Sequence, residues 1–179
     1  NAGTIRGLGL QLVTYNASGA SNLWGTLRIS IANTGLQEFP TGKSSFSPGP
    51  WTEVCVRPNF VFGTRTANEW IKFDFDAPFN YTGGGLLVKI CYEGTKTSNT
   101  AIGTFRASTT ATTGAKTYFI RADNNTTFCS LTTGTEVGKV SYRPDMLFAV
   151  MPGPQKFKNI TSSLEYKLSV PRNNVIVNK

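Results

Sequence analysis

Apolar residues alternate with polar or small residues in short segments of this chain. Leu8, Leu10 and Leu12 alternate in the first segment, and Leu27 and Ile29 begin a similar alternation in the second. This period of two is typical of a β-strand that has one face in a core and the other in solvent. No longer stretch carries the apolar stripe of an amphipathic helix. The sequence therefore predicts an all-β protein.

Further short segments have the composition of strands, and turn-forming residues separate them. Gly83-Gly84-Gly85 is one such turn, because glycine tolerates the positive φ angles that tight turns require. Two of the strands are predicted to point Ile71, Phe73 and Phe75, and Leu86, Val88, Ile90 and Tyr92, toward the core. The predicted strands are 8–12, 26–31, 53–61, 70–75, 86–92, 104–107, 116–122 and 146–151.

Roughly eight short antiparallel strands suit two packed sheets whose inward faces form one core. We therefore predict a jelly-roll-like two-sheet antiparallel sandwich over residues 1–151, with an immunoglobulin-like sandwich as the alternative. Pro152-Gly153-Pro154 then breaks the strand pattern. Residues 152–179 are predicted to form a Pro/Gly linker and a strand segment that is too short to bury a core alone. This segment docks on the sandwich, begins a following module or donates a strand to another chain.

Composition excludes several chemistries. The chain contains no His, which excludes Ser-His-Asp hydrolysis and His-ligated zinc or copper sites within it. The formal net charge is +8, but the basic residues are scattered rather than clustered with aromatic residues as in nucleic-acid binders. The apolar runs are far shorter than a membrane span. We expect no enzyme activity, no nucleic-acid partner and no membrane insertion.

Asp74 and Asp76 lie two positions apart on the polar side of a predicted strand. Paired carboxylates at suitable distances hydrolyse glycosides or bind calcium. Opposite charges on neighbouring strands also pair readily, and Lys72 and Lys89 are available for this. We expect Asp74 and Asp76 to be solvated charges that pair with these lysines.

Asp123, Asn124 and Asn125 form a run of oxygen-bearing side chains in a predicted loop. Carboxylate and amide oxygens are calcium ligands. The same residues also suit Asx turns, in which the side chain accepts a hydrogen bond from the nearby main chain. We expect no cofactor, with calcium as the alternative at these three residues.

Two Arg-x-Asp pairs, Arg121 with Asp123 and Arg143 with Asp145, occur at predicted strand ends. Such residues form ion pairs that tie strand ends to loops, or they contact a sugar. Trp51 is a further candidate for sugar contact, because an exposed indole is a flat apolar platform. A tryptophan that caps the core fits the same position.

The three cysteines are Cys55, Cys91 and Cys129, and no CxxC spacing occurs. Metal binding by these residues is therefore not expected. The simplest count is one disulfide and one odd thiol.

Several segments carry a joint resemblance: WIKFDFDAPFNY at 70–81, GGLLVKICY at 84–92, YFIRADN at 118–124 followed by CS at 129–130, and RPDM at 143–146. In this order they resemble a β-sandwich module that is repeated in large secreted surface and adhesin-type proteins of Bacteroidota. The resemblance covers about residues 4–151 and departs from the module at Tyr142, where Asn is common. It implies a secreted or cell-surface location, often reached by type IX secretion.

The resemblance also bears on the cysteines, because Cys91 and Cys129 stand at the two cysteine positions of that module. It implies a structural disulfide between them. Cys55 has no counterpart in the module and is expected to be a buried small apolar residue or an intermolecular link.

We expect a non-catalytic module that serves as a structural spacer or adhesive unit. Its expected partners are neighbouring modules of the same polypeptide or assembly, and surface glycans. The alternative function is that of a carbohydrate-binding module appended to a secreted hydrolase, which requires an exposed aromatic platform with polar groups beside it.

Overall fold

A computed structural model describes residues 2–19, 24–36, 39, 50–94, 103–108, 117–121, 126–131, 136–152 and 175–176. These residues are mostly in strands, and the prediction of an all-β sandwich is confirmed. The strands are β1 (Gly3–Tyr15), β2 (Thr26–Thr34), β3 (Thr52–Arg57), β4 (Trp70–Tyr81), β5 (Gly85–Glu93), β6 (Gly103–Phe105), β7 (Ala107–Ser108), β8 (Thr117–Arg121), β9 (Glu136–Val140), β10 (Arg143–Pro144), β11 (Met146–Pro152) and β12 (Val175–Ile176). Ala17–Gly19 and Phe128–Ser130 are short 3-10 turns.

The larger sheet has the order β12-β11-β1-β4, and β6 pairs with the far end of β1. The smaller sheet has the order β3-β2-β5, and β10-β7 and β8-β9 form two-stranded ladders. The pairs within both large sheets are antiparallel except for β11 with β12, which is parallel. Most of the core lies between the inner faces of these two sheets.

An irregularity in β1 changes which residues face the core. The register against β11 and β4 shifts between Ile5 and Gly7. Before the shift the odd-numbered Ile5 is buried, and after it the even-numbered Leu8, Leu10 and Leu12 are buried. A one-residue change of register moves side chains to the opposite face of a sheet. This explains why the predicted leucine alternation begins only at Leu8.

The same irregularity produces a bulge in β4. Gly7 lies opposite Asp74 and Ile5 lies opposite Phe79, so the intervening β4 residues have no partner on β1. Pro78 lies in this bulge, where its missing N–H removes no ladder hydrogen bond. The bulge divides the buried side of β4 into Ile71 and Phe73 before it and Phe79 after it.

The core joins the two sheets. The alternating residues of β2 predicted to face inward are its centre, because Ile29 and Ile31 are fully buried and Leu27 is 6% exposed. Burying one such side chain stabilises the fold by about 1.5–3 kcal/mol. The buried apolar cluster is Ile5, Leu8, Leu10, Leu12, Leu27, Ile29, Ile31, Val54, Cys55, Phe62, Ile71, Phe73, Phe79 and Phe148.

Cys55 is part of this core. Its thiol is free and buried, as expected for a small apolar residue, and burial raises its pKa. A buried thiol with a raised pKa is little ionised and is shielded from reagents.

The smaller sheet differs from the prediction at two places. The predicted strand 53–61 ends at Arg57, because Pro58 and Asn59 form a turn in which Asn59 has a φ of 51°. Ile90 was predicted to be buried but is 38% exposed. It lies opposite the buried Ile29, on the outermost strand of this sheet.

The outer edges of the smaller sheet are covered by side chains and by another segment. At β3, the N–H of Val56 donates to Oδ2 of Asp76, 2.7 Å away, and the Arg57 guanidinium reaches Oδ1 of Asp76 at 2.6 Å. Arg57 also donates to the main-chain oxygen of Asp74. These bonds link the edge of β3 to the edge of β4.

At β5, residues 126–130 lie along the outer edge. Cys91 and Cys129 form a disulfide, which confirms the pairing implied by the resemblance. Glu93 and Thr127 form an isolated β-bridge, and Lys89 donates to the main-chain oxygen of Cys129. Disulfide and bridge together hold this segment against the strand.

The outer edge of β11 is where the second predicted segment meets the sandwich. Val175 and Ile176 pair in parallel with Met146 and Leu147. The boundary at 151/152 stays a prediction, because most of residues 153–179 lie outside the described part of the chain.

Candidate functional site

The strands β1 and β11 separate beyond Leu10 and Met146, and β6 and β7 lie in the fork between them. Arg106 is the residue between β6 and β7. Its N–H donates to the main-chain oxygen of Gln11 at 2.8 Å, and its own oxygen accepts from the N–H of Asp145 at 2.9 Å. The main chain of Arg106 therefore bonds to β1 on one side and to the residue that precedes β11 on the other.

A shallow depression lies on the surface of this fork, and we call it the fork surface. Tyr142 forms one side of it and is 51% exposed, the largest exposure among the exposed large apolar side chains of the described chain. Its main-chain oxygen accepts a hydrogen bond from the Thr117 hydroxyl at 2.8 Å, which connects this position to β8. The fork surface is lined by Val13, Thr104, Phe105, Arg106, Ala107 and Tyr142.

Polar groups also lie on or near the fork surface. Arg106 is exposed, and its guanidinium lies 3.4 Å from Oδ1 of Asn68. The hydroxyls of Thr14 and Thr104 are hydrogen-bonded at 2.8 Å. Oδ1 of Asp145 is buried without a hydrogen-bond partner among the described residues. The fork surface thus combines an exposed ring with a cationic group and hydroxyls.

The structure brings two of the predicted sugar-contact residues to the fork and leaves the others elsewhere. Arg143 is in β10, which pairs with β7, and Asp145 follows it. The ion pairs among the described residues involve Arg28, Arg57 and Arg65, so the ion-pair interpretation of this Arg-x-Asp motif stays a prediction. Trp51 is half-buried and precedes β3 in the smaller sheet. The main chain of Arg121 pairs with Glu136 in the β8–β9 ladder.

The calcium candidates Asp123, Asn124 and Asn125 lie outside the described residues, so calcium binding there stays a prediction. In the described ranges no group of three or more His, Cys, Asp or Glu side chains is placed to hold a metal ion. Likewise, no helix in those ranges is long and apolar enough to cross a membrane.

Asp74 and Asp76 lie beside Arg57 of β3. The predicted partners, Lys72 and Lys89, are replaced by Arg57, which contacts the Asp76 carboxylate and the Asp74 main chain. The N–H of Val56 and the Arg57 guanidinium lower the pKa of Asp76. The β4 bulge causes this change of partner, because it directs Asp76 toward β3.

Tyr142 is the residue that sequence reasoning missed as a ligand candidate. The available signal was the departure from the resembled module, which commonly has Asn before Arg-Pro. Period-two patterns identify residues that alternate along a strand, whereas Tyr142 precedes the short strand β10. Its exposure depends on the fork, which the pattern does not predict.

Chemically, the fork surface offers groups for recognition. An aromatic face, a guanidinium and hydroxyls are typical of sites that orient a polar ligand against an apolar platform. Glycoside hydrolysis needs two carboxyl groups at a defined separation. The described residues named at the fork include one carboxylate, that of Asp145. Comparison with protein families, curated proteins and solved structures found no match.

Proposed function

We propose that this chain is a non-catalytic module of a secreted or cell-surface protein, in which it serves as a structural spacer or adhesive unit. The observation that carries the proposal is the Cys91–Cys129 disulfide. Disulfides form and persist in oxidising compartments and are rare in the cytosol. The resemblance to modules of Bacteroidota surface proteins exported by type IX secretion supports the same location.

The sandwich architecture agrees with a load-bearing role. The disulfide holds residues 126–130 on β5, and Arg57 links the edges of β3 and β4. Sheets with covered edges resist unwanted pairing with other chains. Such a unit can be repeated along a stalk without lateral aggregation.

Thiol trapping in cells that produce the protein tests the location. The cells are treated with an alkylating reagent, and the chain is then denatured, alkylated with a heavier reagent and weighed by mass spectrometry. We expect Cys91 and Cys129 to remain unmodified because they are oxidised, and an antibody to the chain to label intact cells. Two additional free thiols in the cell, or labelling of lysed cells alone, would contradict the proposal.

The fork surface favours a second candidate function, glycan binding, because Tyr142 is 51% exposed beside Arg106. This is the carbohydrate-binding alternative, with its contact residues at Arg143 and Asp145 rather than at Trp51. An exposed tyrosine ring stacks on the apolar face of a sugar while neighbouring donors bind its hydroxyls.

A glycan array with the full chain tests this candidate. We expect saturable binding that is lost in Tyr142→Ala and retained in Phe119→Ala, which removes another exposed aromatic ring. Trp51→Ala and calcium chelation report on the other predicted contacts. Equal binding by the Tyr142→Ala and Phe119→Ala chains, or no saturable binding, would exclude the fork surface.

A further inference from the structure

Several described arginines differ in what their guanidinium groups contact. Arg28, Arg57 and Arg65 each lie 3.0 Å or less from a carboxylate oxygen. The Arg106 guanidinium instead donates to the amide oxygen of Asn68 at 3.4 Å. An amide has no net charge, so this contact orients the Arg106 guanidinium without neutralising it.

The main chain and the side chain of Arg106 have separate roles. Its N–H donates to the main-chain oxygen of Gln11 at 2.8 Å, and its oxygen accepts from the N–H of Asp145 at 2.9 Å. These bonds fix the residue between β6 and β7 without the side chain, which is exposed. Oδ1 of Asp145 is buried, so this carboxylate oxygen is not presented to solvent. The guanidinium beside Tyr142 is therefore open to a ligand.

Asn68 is held in place from β1. Its φ angle is 66°, a left-handed conformation that Asn adopts more readily than most residues. Its main-chain oxygen lies 3.4 Å from Nε2 of Gln11, and the oxygen of the next residue, Glu69, accepts the N–H of Leu12 at 2.8 Å. The Asn68 amide is thereby kept beside Arg106, where it acts as a positioning residue.

We propose that the fork surface binds an acidic glycan, in which the Tyr142 ring stacks on a sugar and the Arg106 guanidinium contacts the carboxylate of a uronate. Hydrogen bonds between a guanidinium and a carboxylate are stronger than those between neutral groups. Charge favours this occupant over a neutral glycan, because Arg143 follows Tyr142 beside β7 and the chain has a formal net charge of +8. The inference rests on the glycan-binding candidate function and adds its substrate class.

An array of paired glycans, probed with the full chain, tests the proposal. It carries oligomers of galacturonate, glucuronate and mannuronate, each beside its carboxyl-reduced form, which has the same ring stereochemistry and no charge. At low ionic strength we expect at least one acidic oligomer to bind about tenfold more tightly than its reduced form, as one charged hydrogen bond would give. Salt should weaken this preference, and Arg106→Gln should remove it.

Asn68→Asp places a carboxylate beside Arg106 with almost no change in shape. The preference for acidic oligomers should therefore disappear, while binding of the reduced forms remains. Asn59→Asp is the matched control, because Asn59 is also exposed with a positive φ of 51°, and the substitution changes the net charge equally. Asn59 lies in the turn that follows β3, so the Asn59→Asp chain should keep the preference.

The outcomes separate the inference from the candidate function. An equal preference in the Asn68→Asp and Asn59→Asp chains would overturn the acidic-glycan inference. Equal binding of acidic and reduced oligomers, lost in Tyr142→Ala, would overturn it too and leave glycan binding at the fork in place. No saturable binding of any glycan, acidic or neutral, would exclude both. If Asn68→Asp does not fold, Arg106→Gln decides, because the main-chain bonds of Arg106 do not need its side chain.

Discussion

Arg57 in β3 and Asp76 in the bulge of β4 form an ion pair of 2.6 Å between two strands that belong to different sheets. β2 is the main-chain ladder partner of β3, and β1 is that of β4. Asp76 also accepts the N–H of Val56. A single carboxylate thus satisfies a main-chain donor and a guanidinium at the place where the two sheet edges meet.

Asp76→Ala should lower the melting temperature more than Glu53→Ala does. Glu53 pairs with Arg28, which keeps Glu93 as a second partner, and exposed ion pairs contribute little. Loss of Asp76 additionally leaves the N–H of Val56 without its acceptor and opens the β3 edge. Calorimetry and size-exclusion chromatography measure this, and we expect more association for Asp76→Ala. Equal melting temperatures for the two variants would show that the edge contact is unimportant.

Acid should weaken the native chain more than the Asp76→Ala chain. Hydrogen bonds from Val56 and Arg57 lower the folded-state pKa of Asp76, so at a pH below about 4 the unfolded chain binds more protons than the folded one. The contribution of Asp76 is complete above that pH and is lost as pH falls through the lowered folded pKa. Glu69 should also lose its contribution to stability in acid, because hydrogen bonds from the Thr66 N–H and Arg65 lower its pKa. Urea titrations from about pH 6 to pH 2.5 measure this. If the free energy of unfolding falls equally with pH in the native and Asp76→Ala chains, the prediction is wrong.

The bulge also shows what a sequence pattern can and cannot predict. The alternation of Ile71 and Phe73 correctly identified the buried side of β4, because it depends on neighbours within one strand. The partner of Asp76 depends on a register irregularity that involves Ile5 and Gly7 on another strand. Pro78 was a signal for a bulge, but it does not indicate which strand the displaced side chain meets.

The candidate site was predicted only in part for the same reason. Arg143 and Asp145 were identified from their residue types, and the structure places them at the fork with Arg106. Tyr142 was missed because its exposure follows from tertiary packing. The disulfide came from the resemblance, since a count of three cysteines leaves every pairing open.

Removal of the disulfide should cost a large part of the stability. Cys91 and Cys129 are 38 residues apart, and in the chain-entropy model a loop of that size contributes about 4 kcal/mol. The free energy of unfolding of the Cys91→Ser/Cys129→Ser chain should be lower by that amount, so this chain should unfold at a lower urea concentration. Reducing agent serves as the control, because it should weaken the native chain to the same level and leave the variant unchanged. A loss below about 1 kcal/mol would show that residues 126–130 are held by their other contacts.

Gly25→Ala should destabilise the chain more than Gly63→Ala. Both glycines have positive φ, 63° and 70°, so each alanine incurs the left-handed backbone penalty of about 1–2 kcal/mol. A Cβ at Gly25 would also overlap the carbonyl oxygen of Glu93, whereas a Cβ at Gly63 meets nothing within 4 Å. The difference between the variants in urea unfolding therefore isolates the close approach of Gly25 to Glu93 at the end of β5. If both variants lose the same free energy, the main chain moves apart there at no cost, and the contact with Glu93 is not needed for the fold.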